Sequence, residues 1–305
     1  MGDTTTVPDF EGEFADAAAS FVELDEVLWN TISSATLLRS HPRFDERVLD
    51  AYAGDGASAL PTAELVGIGG LVDAVEPDER LVELARERAG ERMPQLRLHV
   101  GDPSEWEPTG YDLVQCVLGL AASSDLDADT RRLIERARPG GRVVITLWAR
   151  SALDPLPELL LAALPGADAG DADAADDTDV ADTADATDAD VDADDQNGAG
   201  AGAGDRTPPP AVLTVDVADT AGSLAHWLTE LGLLEVRAEP VQRHLDLTPE
   251  LAWRLVEGTG LRALVADLGE SERDAVHARY AAAVADLETR SVDATMLIAV
   301  GRRPE

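Results

Sequence analysis

The chain has no lysine. All 24 of its basic residues are arginine, against 60 acidic ones, for a formal net charge of -36 over 305 residues. Nucleic-acid affinity comes largely from basic side chains that neutralise phosphates, so this balance argues against a polyanionic partner. Cysteine is nearly absent too. A lone Cys116 forms no internal disulfide and, set in the apolar run DLVQCVLGL, reads as a small buried hydrophobe, which excludes redox chemistry through paired thiols. No apolar run approaches the roughly 20 residues that span a bilayer. The start, MGDTTTVPDFEGEF, lacks the basic beginning and apolar body of a secretory signal, so a cytoplasmic location is the default expectation. The five histidines, His41, His99, His226, His244 and His277, show no triad or metal-ligand spacing. No metal is expected, and no catalytic residue is assigned.

What is present in excess is acid. A surface of this charge stays hydrated in concentrated salt, where a Debye length of about 3 Å at 1 M removes self-repulsion, and a halophilic or salt-adapted host is the expectation. The acid is concentrated between Gly166 and Pro210, where 14 Asp precede the single basic residue Arg206. With almost nothing to bury, this stretch reads as a disordered acidic insertion. Within it DADVDADDQNGA lacks the glycine and glutamate registers of a calcium loop.

The 45% apolar content of the whole chain suffices for a core. Phe14, Phe21, Leu24, Leu28 and Ile32 share a helical face, which predicts an amino-terminal helical region over 1–40. Strand-like runs RVLDAY, LVDAVE, LRLHV, DLVQCVL and RVVITLW then alternate with helical stretches to about residue 165, the fifth introduced by the turn Arg138-Pro139-Gly140-Gly141. Beyond the acidic insertion at 166–210, residues 211–305 supply a helix (LAHWLTELGL), a sixth strand (LEVRAEPVQRHLDL) and a seventh (ATMLIAV). About 45 residues of helix-forming sequence separate the last two, expected to cap one edge of the sheet. Alternating strands and helices mean an α/β fold: a doubly wound, seven-stranded, mostly parallel sheet, in one domain.

The chemistry centres on VLDAYAGDGASA, residues 48–59. Gly54, Gly56 and Ala59 fit the G-x-G-x-x-A spacing of dinucleotide folds, with Glu76 some twenty residues on as a candidate ribose ligand. Asp55, between the glycines, would repel a pyrophosphate at a helix amino terminus. S-adenosylmethionine instead brings an ammonium and a sulfonium, and Asp50, at the end of the first strand, suits the ammonium directly or through water.

Here the chain resembles the class I S-adenosylmethionine-dependent methyltransferases, over about Val48 to Trp148. VLDAYAGDG resembles the first motif, VDAVEPD the acidic end of strand two, HVGDP the third motif, YDLVQCVLGL the fourth and RPGGRVVITLW the fifth. The resemblance implies a Rossmann-like sheet whose last strand is antiparallel and an S-adenosylmethionine site. Asp50, Gly54 and Gly56 would meet the methionine end, Glu76 the ribose, and Pro77 an adenine face. Asp102, with Pro103 beside it, would take the adenine amino group, and Gln115 would face the sulfonium. Tyr52 departs from the pattern by replacing its first glycine, with cofactor contact and packing under the loop both open.

Methyl transfer runs largely on proximity and orientation, so a base is needed only for an acceptor that must lose a proton. His244 is the least poor candidate and is not assigned. Strand four lacks the Asn/Asp-Pro-Pro-Tyr/Phe signature of base-methylating enzymes, which with the charge points to a small-molecule acceptor. Trp29 and Trp253 either line its pocket or pack in the core. Two other functions share these features: an NAD-dependent oxidoreductase, and a non-catalytic S-adenosylmethionine-binding or interaction protein.

Overall fold

The computed structural model describes residues 23–123, 125–166 and 218–305. Phe14, Phe21 and the acidic stretch beyond Gly166 lie outside the described residues. A π-helical turn, Asp25–Trp29, runs into α1 (Asn30–Ser40), and Leu24, Leu28 and Ile32 are fully buried at the spacing of one helical face. There follow β1 (Arg47–Ala51), α2 (Ala59–Val66), β2 (Leu71–Glu76), α3 (Glu79–Ala89), β3 (Leu96–Val100), β4 (Tyr111–Val117), α4 (Leu126–Arg136) and β5 (Ala137–Trp148). Then α5 (Leu156–Ala163), α6 (Ala221–Glu230), β6 (Leu234–Val241), β7 (His244–Asp246), α7 (Pro249–Gly258), α8 (Glu270–Ala285), β8 (Ser291–Asp293) and β9 (Met296–Arg302) complete the order.

The main sheet has seven strands in the order β3-β2-β1-β4-β5-β9-β6. β1 to β5 are parallel, and β9 runs antiparallel between β5 and β6. The order reverses between β1 and β4, and at such a switch point the carboxyl ends of the strands open a crevice. Central strands buried on both faces read as unbroken apolar runs, and Val48, Leu49, Val72, Val75, Leu113, Val114, Val143 and Val144 are all inaccessible. Helix α1 packs on β4, β5 and β9, fastened by buried Arg142, which donates to the carbonyls of Ser40 and His41 and grips both carboxylate oxygens of Glu46.

Three local expectations change. The stretch Arg138–Gly141 is a bulge inside β5: Tyr111 pairs with Ala137 but Leu113 with Arg142. Gly141 fits because a Cβ there would lie 2.8 Å from the Arg138 carbonyl oxygen and 2.9 Å from that of Tyr111. The predicted sixth strand is two strands. β6 stops at Val241, opposite Met296 where its partner β9 begins, and β7 pairs with β8 in a separate ribbon. Pro240 is tolerated within β6 because that strand is the sheet edge. Finally, the helical insertion leaves the sheet at Val241 and returns at Met296, which pairs with Trp148 at the carboxyl end of β5. It therefore rises from the carboxyl rim, not the edge, and α8 packs on α5 and α7.

Candidate active site

The loop after β1 alternates left-handed residues: Tyr52 at φ 57°, Gly54 at 56° and Gly56 at 86°. The glycines serve different ends. Nothing lies within 4 Å of a Cβ built on Gly54, so that position asks only for backbone freedom and leaves space above it. A Cβ on Gly56 would lie 2.1 Å from Leu60 Cδ1 and 3.3 Å from Ala85 Cβ, so Gly56 sets how closely α2 and α3 approach the loop. Tyr52 keeps the left-handed conformation of the glycine it replaces. Its side chain is half-buried against Gly119, where an added Cβ would lie 2.1 Å from that of Tyr52. Burial first, and then the charge of nearby Asp102, push the phenol upward.

Asp50 lies beneath this loop, fully inaccessible. Its Oδ2 accepts from Ser58 Oγ at 2.7 Å and from Gln115 Nε2 at 3.0 Å, while Oδ1 has no partner among the described residues. Burial raises its carboxyl to about 6, against the pull of those two hydrogen bonds, and nearby Glu76 adds to the rise. Gln115 is its register partner on β4 and is equally inaccessible, its Nε2 also donating to Thr62 Oγ1 at 3.0 Å. This places Gln115 within the sheet under the loop, in contact with Asp50, not at the strand end. Side chains of register partners share a face, which is why the amide finds the carboxylate.

Glu76 ends β2 and is 9% exposed. It accepts from the Gly54 backbone N–H at 3.0 Å and from that of Asp78 at 3.1 Å, and burial pushes its carboxyl upward against those bonds. It therefore pins the glycine loop to the neighbouring strand end. Pro77 beside it is exposed. Asp102 is also exposed and caps the short turn Pro103–Glu105 by accepting from the Ser104 N–H at 2.8 Å, while Pro103 is buried.

Asp55 does not play the part the sequence suggested. Its carboxylate is 3% exposed and ion-paired to Arg88, whose guanidinium also meets Asp25 Oδ2 at 2.7 Å. The paired carboxylate faces Arg88 and not the open side of the loop, so its part in any preference against a phosphate is reduced. Trp253 is likewise committed: 9% exposed, it donates from Nε1 to Glu257 Oε1 at 2.9 Å and stacks on His277 with centroids 4.3 Å apart. Sequence reading missed Ser58, Thr62, Arg88 and Gly119. All four matter only through partners brought from other elements, and no local motif announces them.

The histidines are dispersed. His41 ends α1 in a left-handed conformation, His99 Nε2 lies 2.9 Å from Asp73 Oδ1, His226 meets Glu230 at 3.5 Å on an exposed helix face, and His244 is exposed on β7. The Cys116 thiol, wholly buried, is pushed up to about 12 by burial and by the charge of Asp50, which leaves it a packing group.

The profile of the methyltransferase domain family matches residues 48–141. Nocamycin O-methyltransferase of Saccharothrix syringae is 33% identical over 108 residues, covering 34% of this chain and 39% of that protein. The protein-L-isoaspartate O-methyltransferase of Aeropyrum pernix is 37% identical over 109 residues, 35% of this chain and 40% of that protein. The chain thus spans about two fifths of the length of these relatives. Among solved structures, YcgJ of Bacillus subtilis shares the fold with a TM-score of 0.54 at 14% identity, covering 90% of this chain and 99% of that one. The strand order, the glycine loop pinned to an acidic second-strand end and the matched profile agree, and residues 48–141 are a class I S-adenosylmethionine-dependent methyltransferase domain.

Proposed function

We propose that the protein transfers a methyl group from S-adenosylmethionine to a small-molecule acceptor. The observation that carries this reading is the pair of buried acceptors, Asp50 Oδ1 and Gln115 Oε1, which have no partner among the described residues and lie beneath a glycine loop fixed by Glu76. Buried acceptors of this kind call for a donor, and an ammonium, or a water carrying its hydrogen bond, is one. Asp50 would hold the methionine end of the cofactor beneath Gly54 and Gly56, Glu76 the ribose hydroxyls, and Pro77, Asp102 and Pro103 the adenine. The bound sulfonium would supply a methyl group already activated for displacement. The chain's own contribution is then orientation and exclusion of water.

The net charge of -36 favours a small acceptor over a polyanion. Among the described residues no helix is long and apolar enough to cross a membrane. We read the protein as acting in the cytoplasm of a salt-adapted cell, with residues 41–165 and 211–305 as parts of one folded unit. Calorimetric titration with S-adenosylmethionine, S-adenosylhomocysteine and NAD in molar KCl tests the cofactor assignment. Binding of the first two and not of NAD is expected, and the reverse order overturns it. A non-catalytic binding protein would bind both sulfur ligands and show no methyl transfer to any offered acceptor.

A further inference from the structure

The loop sequence explains neither how Asp50 is held nor why one of its oxygens is left over. Ser58 stands at the N-cap position of α2, where a serine hydroxyl ordinarily accepts from a backbone N–H of the first turn. Here it makes no such bond and donates to Asp50 Oδ2 at 2.7 Å instead. Gln115 Nε2 reaches the same oxygen at 3.0 Å and is itself steadied by Thr62 Oγ1, whose own proton goes to the Ser58 carbonyl at 2.7 Å. Two donors from two different elements thus converge on Oδ2, and Oδ1 receives none among the described residues. Neither donor carries a charge. Around Asp50 stand Ser58 and Thr62 from α2, Gln115 and the protonated Cys116 thiol from β4, and Glu76 from β2, whose charge opposes ionisation of Asp50.

We propose that Ser58 and Gln115 are positioning residues that clamp Asp50 by Oδ2 and reserve Oδ1 for the cationic amino end of the ligand, reached directly or through one water. This rests on the cofactor reading above and adds to it the division of labour within the carboxylate. Both donors favour the charged form of Asp50, so each keeps it ionised as well as oriented. Through its Nε2, Gln115 acts on the ligand by way of Asp50.

The test compares wild type with Ser58→Ala, Gln115→Met and the conservative Ser58→Thr, titrating S-adenosylhomocysteine by calorimetry from pH 5 to 8.5. A parallel titration uses 5′-methylthioadenosine, which has the nucleoside but no amino-acid end. Wild-type affinity for S-adenosylhomocysteine should rise with pH as Asp50 ionises. A hydrogen bond to a charged group is worth about tenfold or more, so Ser58→Ala and Gln115→Met should each move the rise upward by about one pH unit, weakening binding about 3-fold at pH 6.5 and nearly 10-fold at pH 5. The loss should fade by pH 8.5, and Ser58→Thr should restore most of it. Affinity for 5′-methylthioadenosine should be the same in all four proteins. Equal losses for both ligands, or a loss with an unmoved pH profile, would overturn the proposal and leave these residues as packing. A wild type that binds neither ligand at any pH would overturn the cofactor reading itself. Unfolding curves run beside each titration identify a variant that fails to fold, in which case the other variant decides.

Discussion

Asp50→Asn is expected to make the ligand-free protein more stable at neutral pH while abolishing the binding of S-adenosylmethionine. The magnitude follows from burial. The carboxyl rises from its ordinary 3.8 to about 6 in the folded chain, and each unit corresponds to about 1.36 kcal/mol, so the ionised group costs about 3 kcal/mol above pH 6. The native state holds this proton more tightly than the unfolded chain. Its contribution to stability therefore declines as pH rises from about 4 to about 6 and is level beyond. Asparagine has the same shape, and its carbonyl oxygen can accept from Ser58 and Gln115, but its amide nitrogen is left without an assured acceptor at a cost of about 1–3 kcal/mol. The variant should be more stable than wild type by about 1 kcal/mol at pH 8, after subtraction of that cost, and less stable near pH 4. Urea unfolding of both proteins at pH 4.5, 6 and 8 in one salt concentration measures the difference. A difference that does not change with pH would refute the reasoning, because only a titrating Asp50 makes it vary.

Other perturbations have equally definite outcomes. Glu76→Ala removes the acceptor of the Gly54 and Asp78 N–H groups and the expected ribose ligand, so S-adenosylmethionine affinity should fall at least 10-fold by calorimetry, and unchanged affinity would remove Glu76 from the site. Gly119→Ala drives a Cβ into Tyr52 and should cost about 1–3 kcal/mol of stability, most of it recovered when Tyr52→Gly is added; additive losses in the double-mutant cycle would disprove the pairing. Arg88→Ala leaves Asp55 buried without its counter-charge, a loss of about 3–5 kcal/mol in urea unfolding that Asp55→Asn in the same chain should partly reverse. Screening of the -36 net charge should raise the melting temperature steadily from low salt to molar KCl, and a flat profile would argue against salt adaptation.

Much of the frame was legible in the residues. LVDAVE and LRLHV are strands at the bounds the sequence suggested, for different reasons: β2 is buried along almost its whole length, whereas β3, at the sheet edge, is only partly covered and alternates Leu96, Leu98 and Val100 with Arg97 and His99. Leu24, Leu28 and Ile32 pointed inward because helical spacing alone puts them on one side. The segment from His244 to Asp246 misled, since its strand character is real but its partner is β8 and not the main sheet. Strand propensity states a conformation and not a neighbour.

The candidate site divides in the same way. Backbone demands are local, so the sequence by itself determined the positive-φ loop at Gly54 and Gly56 and the acidic ends of β1 and β2 around it. Which carboxylate is free to act was decided only by the tertiary structure. DAYAGDG sets Asp50 at the strand end and Asp55 between the glycines, but it does not reveal that Arg88 on α3 pairs with Asp55, or that Ser58 and Gln115 hold Asp50 by one oxygen and leave the other without a partner among the described residues. A charge acquires its meaning from what lies within a few ångströms, and those neighbours come from elements 8, 33 and 65 residues away along the chain.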